Sequence, residues 1–275
     1  MTHRIRKLAH RGLNQLQTIG LIAILAIQTA LVGFLVAGGV GAGFALVMGF
    51  VFAAGAARMP GWAALRMLGA RPLPAWQAPW LNRVVDALSR RAELPKVPQL
   101  ALIESPELNA MTVGSPDEPV VAVTRGLLRQ LPDREIVGVL AHEISHIAHR
   151  DLRTLALAQA FASVTARMGP VGLFLVPLGI LFGAPSLAWV GLALLSGPLL
   201  AQLLTLAVSR QREFAADDLA VELTGDPEGL ATALHRIEQT GRRRARRLGV
   251  MAEDAPVWLR SHPATHDRIT RLGAT

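Results

Sequence analysis

The stretch Ala141-His142-Glu143-Ile144-Ser145-His146 lies within an apolar run that predicts an α-helix. Residues four positions apart on a helix share one face, so the imidazoles of His142 and His146 can bind one metal ion. Glu143 lies beside them, where its carboxylate can take a proton from a water molecule that the metal activates. An incidental histidine pair on a surface helix is the alternative, but the apolar neighbours argue against full exposure. The pattern predicts one Zn²⁺ per chain, with Glu143 as general base.

A catalytic zinc site needs a third protein ligand, and the chain contains no cysteine, so this ligand is expected to be His, Asp or Glu. His149 is the nearest candidate, but it lies seven residues from His142, which is about 10 Å along a helix at 1.5 Å per residue. The motif with a third histidine six residues after the second is absent, because that position is Leu152. A glutamate from a separate helix is therefore expected.

The best candidate for the third ligand is Glu213, which follows the second of two long uncharged tracts. If that tract forms a helical hairpin, Glu213 returns to the membrane side that holds the two histidines. Asp217 lies one turn further on, where its carboxylate can accept a hydrogen bond from a ligand histidine. An ordinary ion pair of Glu213 with Arg210 or Arg212 is the alternative.

Two tracts of the sequence contain no Lys, Arg, Asp or Glu. The first, 12–57, can hold two spanning helices of roughly 20 residues each, and its glycines at 38, 39, 41 and 43 predict a turn between them. The second, 168–209, is divided in the same way by Gly183–Ser186. We therefore predict two transmembrane helical hairpins. A cleaved signal peptide is the alternative for the first tract, and a buried pair of core helices is the alternative for the second.

Composition and charge agree with insertion into a lipid bilayer. Hydrophobic residues make up 51% of the 275 residues and charged residues only 17%, where soluble domains carry about a quarter. The net charge of +8 would also suit a nucleic-acid binder, but the long apolar tracts and the absence of tyrosine argue against nucleic acid as a partner. Basic residues flank the first tract on both sides, so the positive-inside rule places both flanks in the cytoplasm. These residues are Arg4, Arg6, Lys7, Arg11, Arg58, Arg66 and Arg71.

The polar segments predict a mainly helical domain with a small β-sheet, of the zincin metalloprotease type. Apolar runs predict strands at 97–104 and 120–124, and Pro132 followed by acidic residues predicts the start of the helix that carries the motif. We divide the chain into an N-terminal transmembrane hairpin, the first part of the catalytic domain, a second hydrophobic hairpin and the second part of the catalytic domain. Their bounds are 1–58, 59–153, 154–209 and 210–275.

Further matches follow one another along the chain. They are Asn109–Gly114 (N-A-x-x-x-G), His149-Arg150-Asp151 after the histidine motif, Glu213 with Asp217 (E-x-x-x-D), and Ser261-His262-Pro263 with Arg268 (S-H-P…R). As a set they resemble the M48 metalloprotease family, especially the HtpX-like bacterial membrane proteases related to the CAAX-processing Ste24 enzymes. The resemblance extends from about residue 80 to residue 272.

The resemblance implies roles for individual residues near the metal. Glu213 would be the third zinc ligand, and Asp217 would support a ligand histidine. His262 and Arg268 would lie near the substrate carbonyl and stabilise the oxyanion, since both side chains can donate hydrogen bonds. Capping of a local loop is the alternative role for His262.

The same resemblance implies a substrate cleft. Asn109 and Ala110 would bind substrate beside an edge strand, to which an extended polypeptide adds as a further strand. A role in a turn is the alternative for Asn109. Met111-Thr112-Val113 departs from the family pattern, in which this stretch is more often aromatic.

Together these features predict an integral-membrane zinc endoprotease of a bacterial inner membrane. The residues indicate metal-assisted peptide hydrolysis, and the resemblance implies that the substrates are unfolded or damaged membrane proteins cut at the cytoplasmic face. A dedicated processing peptidase and a non-enzymatic zinc-binding scaffold are the alternatives; the presence of Glu143 argues against the scaffold. A metal transporter would need ionisable residues inside its spans, and both tracts largely lack them. The sequence does not indicate an oligomeric state.

Overall fold

The computed structural model describes residues 2–57, 61–67, 69–115, 117–149, 152–247 and 265–273. The chain divides into two units of two segments each: Met1–Arg58 with Arg153–Val208, and Met59–Leu152 with Ser209–Thr275. Helices dominate, with one small sheet, so the predicted fold class is confirmed at that level. The elements in chain order are α1 (Thr2–Ala57), α2 (Gly61–Met67), β1 (Ala70–Pro72), α3 (Pro79–Arg91), β2 (Gln99–Ile103), β3 (Ala110–Ser115), β4 (Glu118–Thr124), α4 (Arg125–Gln130), α5 (Asp133–Ala148), α6 (Leu152–Leu181), α7 (Pro185–Thr224), α8 (Pro227–Arg247) and α9 (Thr265–Leu272).

The first uncharged tract folds back on itself within α1. The helical path is broken at Ala37 and at Gly38, whose φ of 59° lies in the left-handed region that glycine adopts without strain. Beyond the break the two arms pack closely, because a Cβ on Gly33 would lie 2.3 Å from the main-chain oxygen of Gly41 and 2.7 Å from Cβ of Ala45. The reversal falls at the edge of the glycine cluster that predicts a turn.

The second uncharged tract forms α6 and the first part of α7, joined by a short turn at Gly183 (φ 59°). The helices approach closely at glycines, since a Cβ on Gly172 would lie 2.5 Å from the main-chain oxygen of Gly191. Small residues allow such approach, as is common between helices in membranes. Gln28 of α1 donates a 3.5 Å hydrogen bond to the main-chain oxygen of Ala193 in α7.

The prediction of two transmembrane hairpins is not confirmed. Among the described residues, one helical stretch, Ala26–Phe52, is long and apolar enough to cross a membrane, and the break at Gly38 lies inside it. The apolar helices Thr165–Leu181 and Pro185–Leu200 are shorter than the roughly 20 residues that a full crossing requires. Because the break divides the stretch Ala26–Phe52, its length is not that of one uninterrupted helix.

The sheet has the order β1-β2-β4-β3. β2 and β4 run parallel, whereas β1 and β3 pair antiparallel with β2 and β4 respectively. The predicted strands at 97–104 and 120–124 correspond to β2 and β4, which are buried apolar runs. In the register of β3 with β4, Met111 lies opposite Ala122. Within the described residues no strand pairs with the other side of β3, so β3 is an edge strand.

Helix α5 forms the centre of the second unit. It begins after Pro132, and the acidic Asp133 and Glu135 lie in its first turn, where the helix dipole favours negative charge. Ile136, Leu140 and Ile144 recur at four-residue spacing and are almost fully buried, which anchors the helix in the core. α3, α8 and β3 pack against it. The H-E-x-x-H motif is therefore held on a buried helix.

Candidate metal centre

Helix α5 directs both histidines of the motif to one point. His142 and His146 are each only 3% exposed, and their Nε2 atoms lie 3.2 Å apart. The rings are nearly perpendicular, with an angle of 86° and a centroid separation of 4.7 Å. Two buried nitrogen lone pairs that face one another without an intervening group would repel, so the arrangement suits a shared cation or a proton between them.

Glu213, on the polar end of α7, completes this group. Its Oε2 lies 3.3 Å from Nε2 of His142, and its Oε1 lies 3.6 Å from Nε2 of His146. α7 is continuous through Ser209, so the helix that begins in the second uncharged tract itself carries Glu213 to the histidines. His142, His146 and Glu213 each offer one ligand atom, and these atoms all lie within 4.8 Å of one another.

The separations of the three candidate ligand residues are compatible with one shared metal ion. Bonds of 2.0–2.1 Å that diverge at the tetrahedral angle place neighbouring ligand atoms about 3.3 Å apart. The two Nε2 atoms are 3.2 Å apart, close to that value, whereas the distances of 3.3 and 3.6 Å join the two histidines to different oxygens of Glu213. Two imidazoles and one carboxylate leave a fourth position open, which is the arrangement of hydrolytic zinc sites. The residues present therefore fit a catalytic metal ion.

Asp217 orients His142 from the side away from this point. Its Oδ1 lies 2.9 Å from Nδ1 of His142. An ionised carboxylate can only accept a hydrogen bond, so the Nδ1 proton of His142 points to Asp217 and Nε2 faces Glu213 and His146. Such carboxylate partners fix the orientation of ligand histidines and raise their basicity.

Arg268, on α9, binds both carboxylates of the site. Its Nε lies 2.7 Å from Oδ2 of Asp217 and its Nη2 lies 2.6 Å from Oδ1, while Nη1 lies 3.0 Å from Oε2 of Glu213. The side chain is only 2% exposed. Nη2 also lies 3.3 Å from Nδ1 and 3.4 Å from Nε2 of His142. The predicted contact of Arg268 with a substrate oxyanion stays a prediction.

The charges of the site shift its pKa values strongly. Burial raises the pKa of Asp217, but hydrogen bonds from Arg268 and His142 outweigh burial and hold that pKa at about 2. Burial and the nearby Arg268 guanidinium lower the pKa of His142, but its contacts with Asp217 and Glu213 outweigh them and raise it to about 9. Without a bound cation, these contacts favour the protonated form of His142 at neutral pH.

Glu143 is 3% exposed and contacts the edge strand β3. The hydroxyl of Thr112 lies 2.7 Å from Oε2 of Glu143 and 3.1 Å from its main-chain oxygen. The sequence patterns did not identify Thr112 as a functional residue, because its contact depends on how β3 packs against α5. The departure of Met111-Thr112-Val113 from the family pattern was the one available signal.

The remaining predicted residues fall in different places. Asn109 immediately precedes β3, and its main chain bonds with Thr124, whose Oγ1 accepts from Asn109 N at 3.0 Å. Ala110 is buried with its side chain in the core, so a role in a substrate cleft would fall to its main chain. His149 ends α5 and does not belong to the group of three ligand residues. His262 lies outside the described residues.

The fold and this site define a metalloprotease of the HExxH class. Residues 75–275 match the family described as Peptidase family M48, and the chain belongs to that family. The resemblance drawn from the sequence motifs is thereby confirmed.

Relatives that cover most of the chain carry the same name. The chain is 37% identical to the protease HtpX homolog of Acaryochloris marina, with 94% of each chain covered. It is 34% identical to the protease HtpX homolog of Salinibacter ruber, with 84% of this chain and 82% of the relative covered. The crystal structure of S. mikatae Ste24p has a similar fold, with a TM-score of 0.52 and 17% identity. That comparison covers 98% of this chain but only 66% of the Ste24p chain.

Proposed function

We propose that this chain is an integral-membrane, zinc-dependent endoprotease that degrades unfolded or damaged membrane proteins at the cytoplasmic face of a bacterial inner membrane. The proposal rests on the convergence of His142, His146 and Glu213, whose ligand atoms all lie within 4.8 Å of one another. Glu143 lies next to the two histidines on the same buried helix. The relatives named as HtpX homologues support the membrane protease class.

In this proposal His142 and His146 bind Zn²⁺ through Nε2, and Glu213 binds it through a carboxylate oxygen. Two imidazole nitrogens and one carboxylate are a ligand set that would suit zinc. When bound, zinc would supply a Lewis acid that makes a water molecule nucleophilic at neutral pH. Asp217 holds the ring of His142 in the orientation that keeps Nε2 available.

Glu143 acts as the general base. Its carboxylate is adjacent to the ligand histidines in sequence and is buried with them, so its orientation is constrained. A carboxylate has about four lone-pair positions, so acceptance of a hydrogen bond from Thr112 leaves capacity for the attacking water. Glu143 accepts the proton of that water and then delivers it to the amine of the leaving peptide.

The edge strand β3 is the proposed substrate-binding element. Thr124 N donates to the main-chain oxygen of Asn109. Asn109 lies opposite Thr124 when the β3–β4 register is extended by one residue, so Asn109 is in a hydrogen-bonded position of the ladder. Antiparallel ladders alternate, so the main-chain groups of Met111 and Val113 point to β4, and those of Ala110 and Thr112 point to the open edge. An extended polypeptide can pair with that edge.

Recognition through main-chain groups favours a protease with many substrates. Main-chain pairing depends on an extended conformation more than on side-chain identity, so it selects unfolded segments. Main-chain recognition therefore favours quality control over a dedicated processing peptidase. A quality-control protease would readily degrade a generic unfolded protein, whereas a dedicated processing peptidase would not.

Membrane insertion is proposed to occur through two helical hairpins, one in each uncharged tract. The exposed apolar side chains of α1, α6 and α7 support a lipid environment for the first unit, for example Phe44, Phe174 and Trp189. Reporter fusions test the topology: residue 40 should be outside and residue 143 in the cytoplasm. The opposite result would overturn the proposed orientation.

The activity is tested with the full chain purified in detergent. It should cleave a chemically unfolded soluble protein, lose that activity with a zinc chelator, and regain it when Zn²⁺ is added in slight excess. The same protein in its folded form serves as the control and should resist cleavage. Cleavage that persists at full strength after chelation and verified metal removal would contradict a metal-dependent mechanism.

A further inference from the structure

The side chains of β3 alternate between two faces. Ala110 is buried in the main core beside α5, whereas Met111 and Val113 pack on the opposite face with Leu65. Successive side chains of a strand point to opposite faces, so Thr112 points to the same face as Ala110. There it meets Glu143 of α5.

The contact of Thr112 with Glu143 has the geometry of a charge-assisted hydrogen bond. A hydroxyl has one proton, and the distances of 2.7 Å to Oε2 and 3.1 Å to the main-chain oxygen of Glu143 favour donation to the carboxylate. Bonds from a hydroxyl to an ionised carboxylate are typically about 2.5–2.7 Å long and stronger than neutral ones. The main-chain oxygen of Glu143 is a second acceptor, so the Thr112 hydroxyl contacts both the main chain and the carboxylate of Glu143.

The main chain of Thr112 faces a different partner. Its N–H and C=O groups lie at a position of β3 that points away from β4 and toward the open edge. A substrate strand that pairs with β3 would therefore bind the main chain of Thr112 while its side chain holds the general base. One residue then connects the substrate-binding edge to Glu143.

We propose that Thr112 is a positioning residue that fixes the carboxylate of Glu143 for proton transfer and aligns it with substrate bound on β3. This inference rests on the proposed function. The hydroxyl, not the size of the side chain, performs the role, since valine has nearly the same shape but no donor. No substrate atom contacts the hydroxyl in this account.

The test compares Thr112→Val, which removes the hydroxyl, with Thr112→Ser, which keeps it, in detergent-purified full chain. Loss of a hydrogen bond to a charged group should lower kcat of Thr112→Val about 10- to 100-fold. KM should change far less, because the main-chain edge is retained. Thr112→Ser should recover most of the wild-type kcat. Zinc content and the thermal midpoint should match the wild type in both variants.

A matched control is Thr232→Val, since the Thr232 hydroxyl donates to the main-chain oxygen of Glu228 within α8 and this hydrogen bond involves no residue of the site. It should leave kcat unchanged. An active Thr112→Val with wild-type kcat would overturn the inference while leaving the proposed function intact. Equal losses in the Val and Ser variants, with lower thermal midpoints, would indicate a structural role and also overturn it. A wild type that cleaves nothing when loaded with zinc would overturn the proposed function and the inference together.

Discussion

The guanidinium of Arg268 and the carboxylate of Asp217 form a buried ion pair through two parallel hydrogen bonds, of 2.7 Å from Nε and 2.6 Å from Nη2. The residues are 51 positions apart and lie on α9 and α7. Asp217 also accepts from Nδ1 of His142, and Arg268 also contacts Glu213. The C-terminal helix is therefore part of the candidate metal centre, because its arginine balances the negative charge of Asp217 and Glu213.

Removal of this arginine should destabilise the protein. Arg268→Ala leaves two buried carboxylates without their cation, and the loss of one partner of a buried pair costs about 3–5 kcal/mol. Arg271→Ala, one turn along on the same helix, removes an exposed ion pair with Asp218 and should cost no more than about 1 kcal/mol. Denaturant unfolding measures the free energy of unfolding of both variants. Equal stability of the two variants would show that the buried pair has no special energetic role.

The third ligand is tested by metal content. Glu213→Ala should reduce bound zinc to well below one ion per chain, because two histidines alone bind zinc weakly. His149→Ala is the matched control and should retain zinc, since His149 is not in the group of three ligand residues. Elemental analysis of dialysed protein provides the measurement. If His149→Ala loses the metal and Glu213→Ala keeps it, the ligand assignment is wrong.

Zinc binding should release a proton from His142. The pKa of His142 is raised to about 9 in the metal-free chain, so Nε2 must lose its proton before it can bind a metal. Calorimetric titrations at pH 7.5 in buffers of different ionisation enthalpy should yield roughly one released proton per zinc. The apparent affinity should weaken as the pH falls below about 9. Binding without proton release would contradict a protonated His142.

The same shift predicts how the metal-free protein responds to pH. Because the folded-state pKa of His142 lies above its ordinary value of 6.5, protonated His142 stabilises the metal-free fold. This contribution is fully present below pH 6.5 and is lost as the pH rises through about 9. His142→Gln should flatten that part of the stability profile in metal-free protein. An unchanged slope would contradict the prediction.

Gly126 is a site where close packing requires glycine. A Cβ there would lie 2.3 Å from the main-chain oxygen of Pro106 and 2.4 Å from that of Glu107. Gly126→Ala should therefore lower the free energy of unfolding by about 1–3 kcal/mol. Gly241→Ala is the control, because it lies on α8 with no atom within 4 Å, and it should stabilise by up to about 1 kcal/mol. Unfolding midpoints that shift in the same direction would refute this explanation.

The part of the site that follows from local periodicity could be predicted from the sequence. His142, Glu143 and His146 need only an α-helix to share a face, and the apolar pattern of α5 predicts that helix. β2 and β4 could be predicted because each is an apolar run. Other features need non-local information. Thr112 meets Glu143 only because β3 pairs with β4 in one register, and neither partner reveals this register alone.

The uncharged tracts show a different limit of sequence patterns. The charge-free run ends near residue 209, where the two units also divide, yet α7 passes through that position as one helix from Pro185 to Thr224. Helix continuity depends on main-chain hydrogen bonds, which do not stop where side chains become polar. The run also does not reveal how much of each arm crosses a membrane, because the break at Gly38 interrupts the longest apolar stretch.

Glu143 is proposed to act as the general base at a metal ion held by its neighbours. The most direct measurement is cleavage of an unfolded reporter by wild type and by Glu143→Gln, with zinc quantified in both. We expect about one zinc per chain in each sample, and cleavage lower by about 10²- to 10⁴-fold in the variant, since a general base contributes that much. Zinc in both samples with equal cleavage rates would contradict the mechanism.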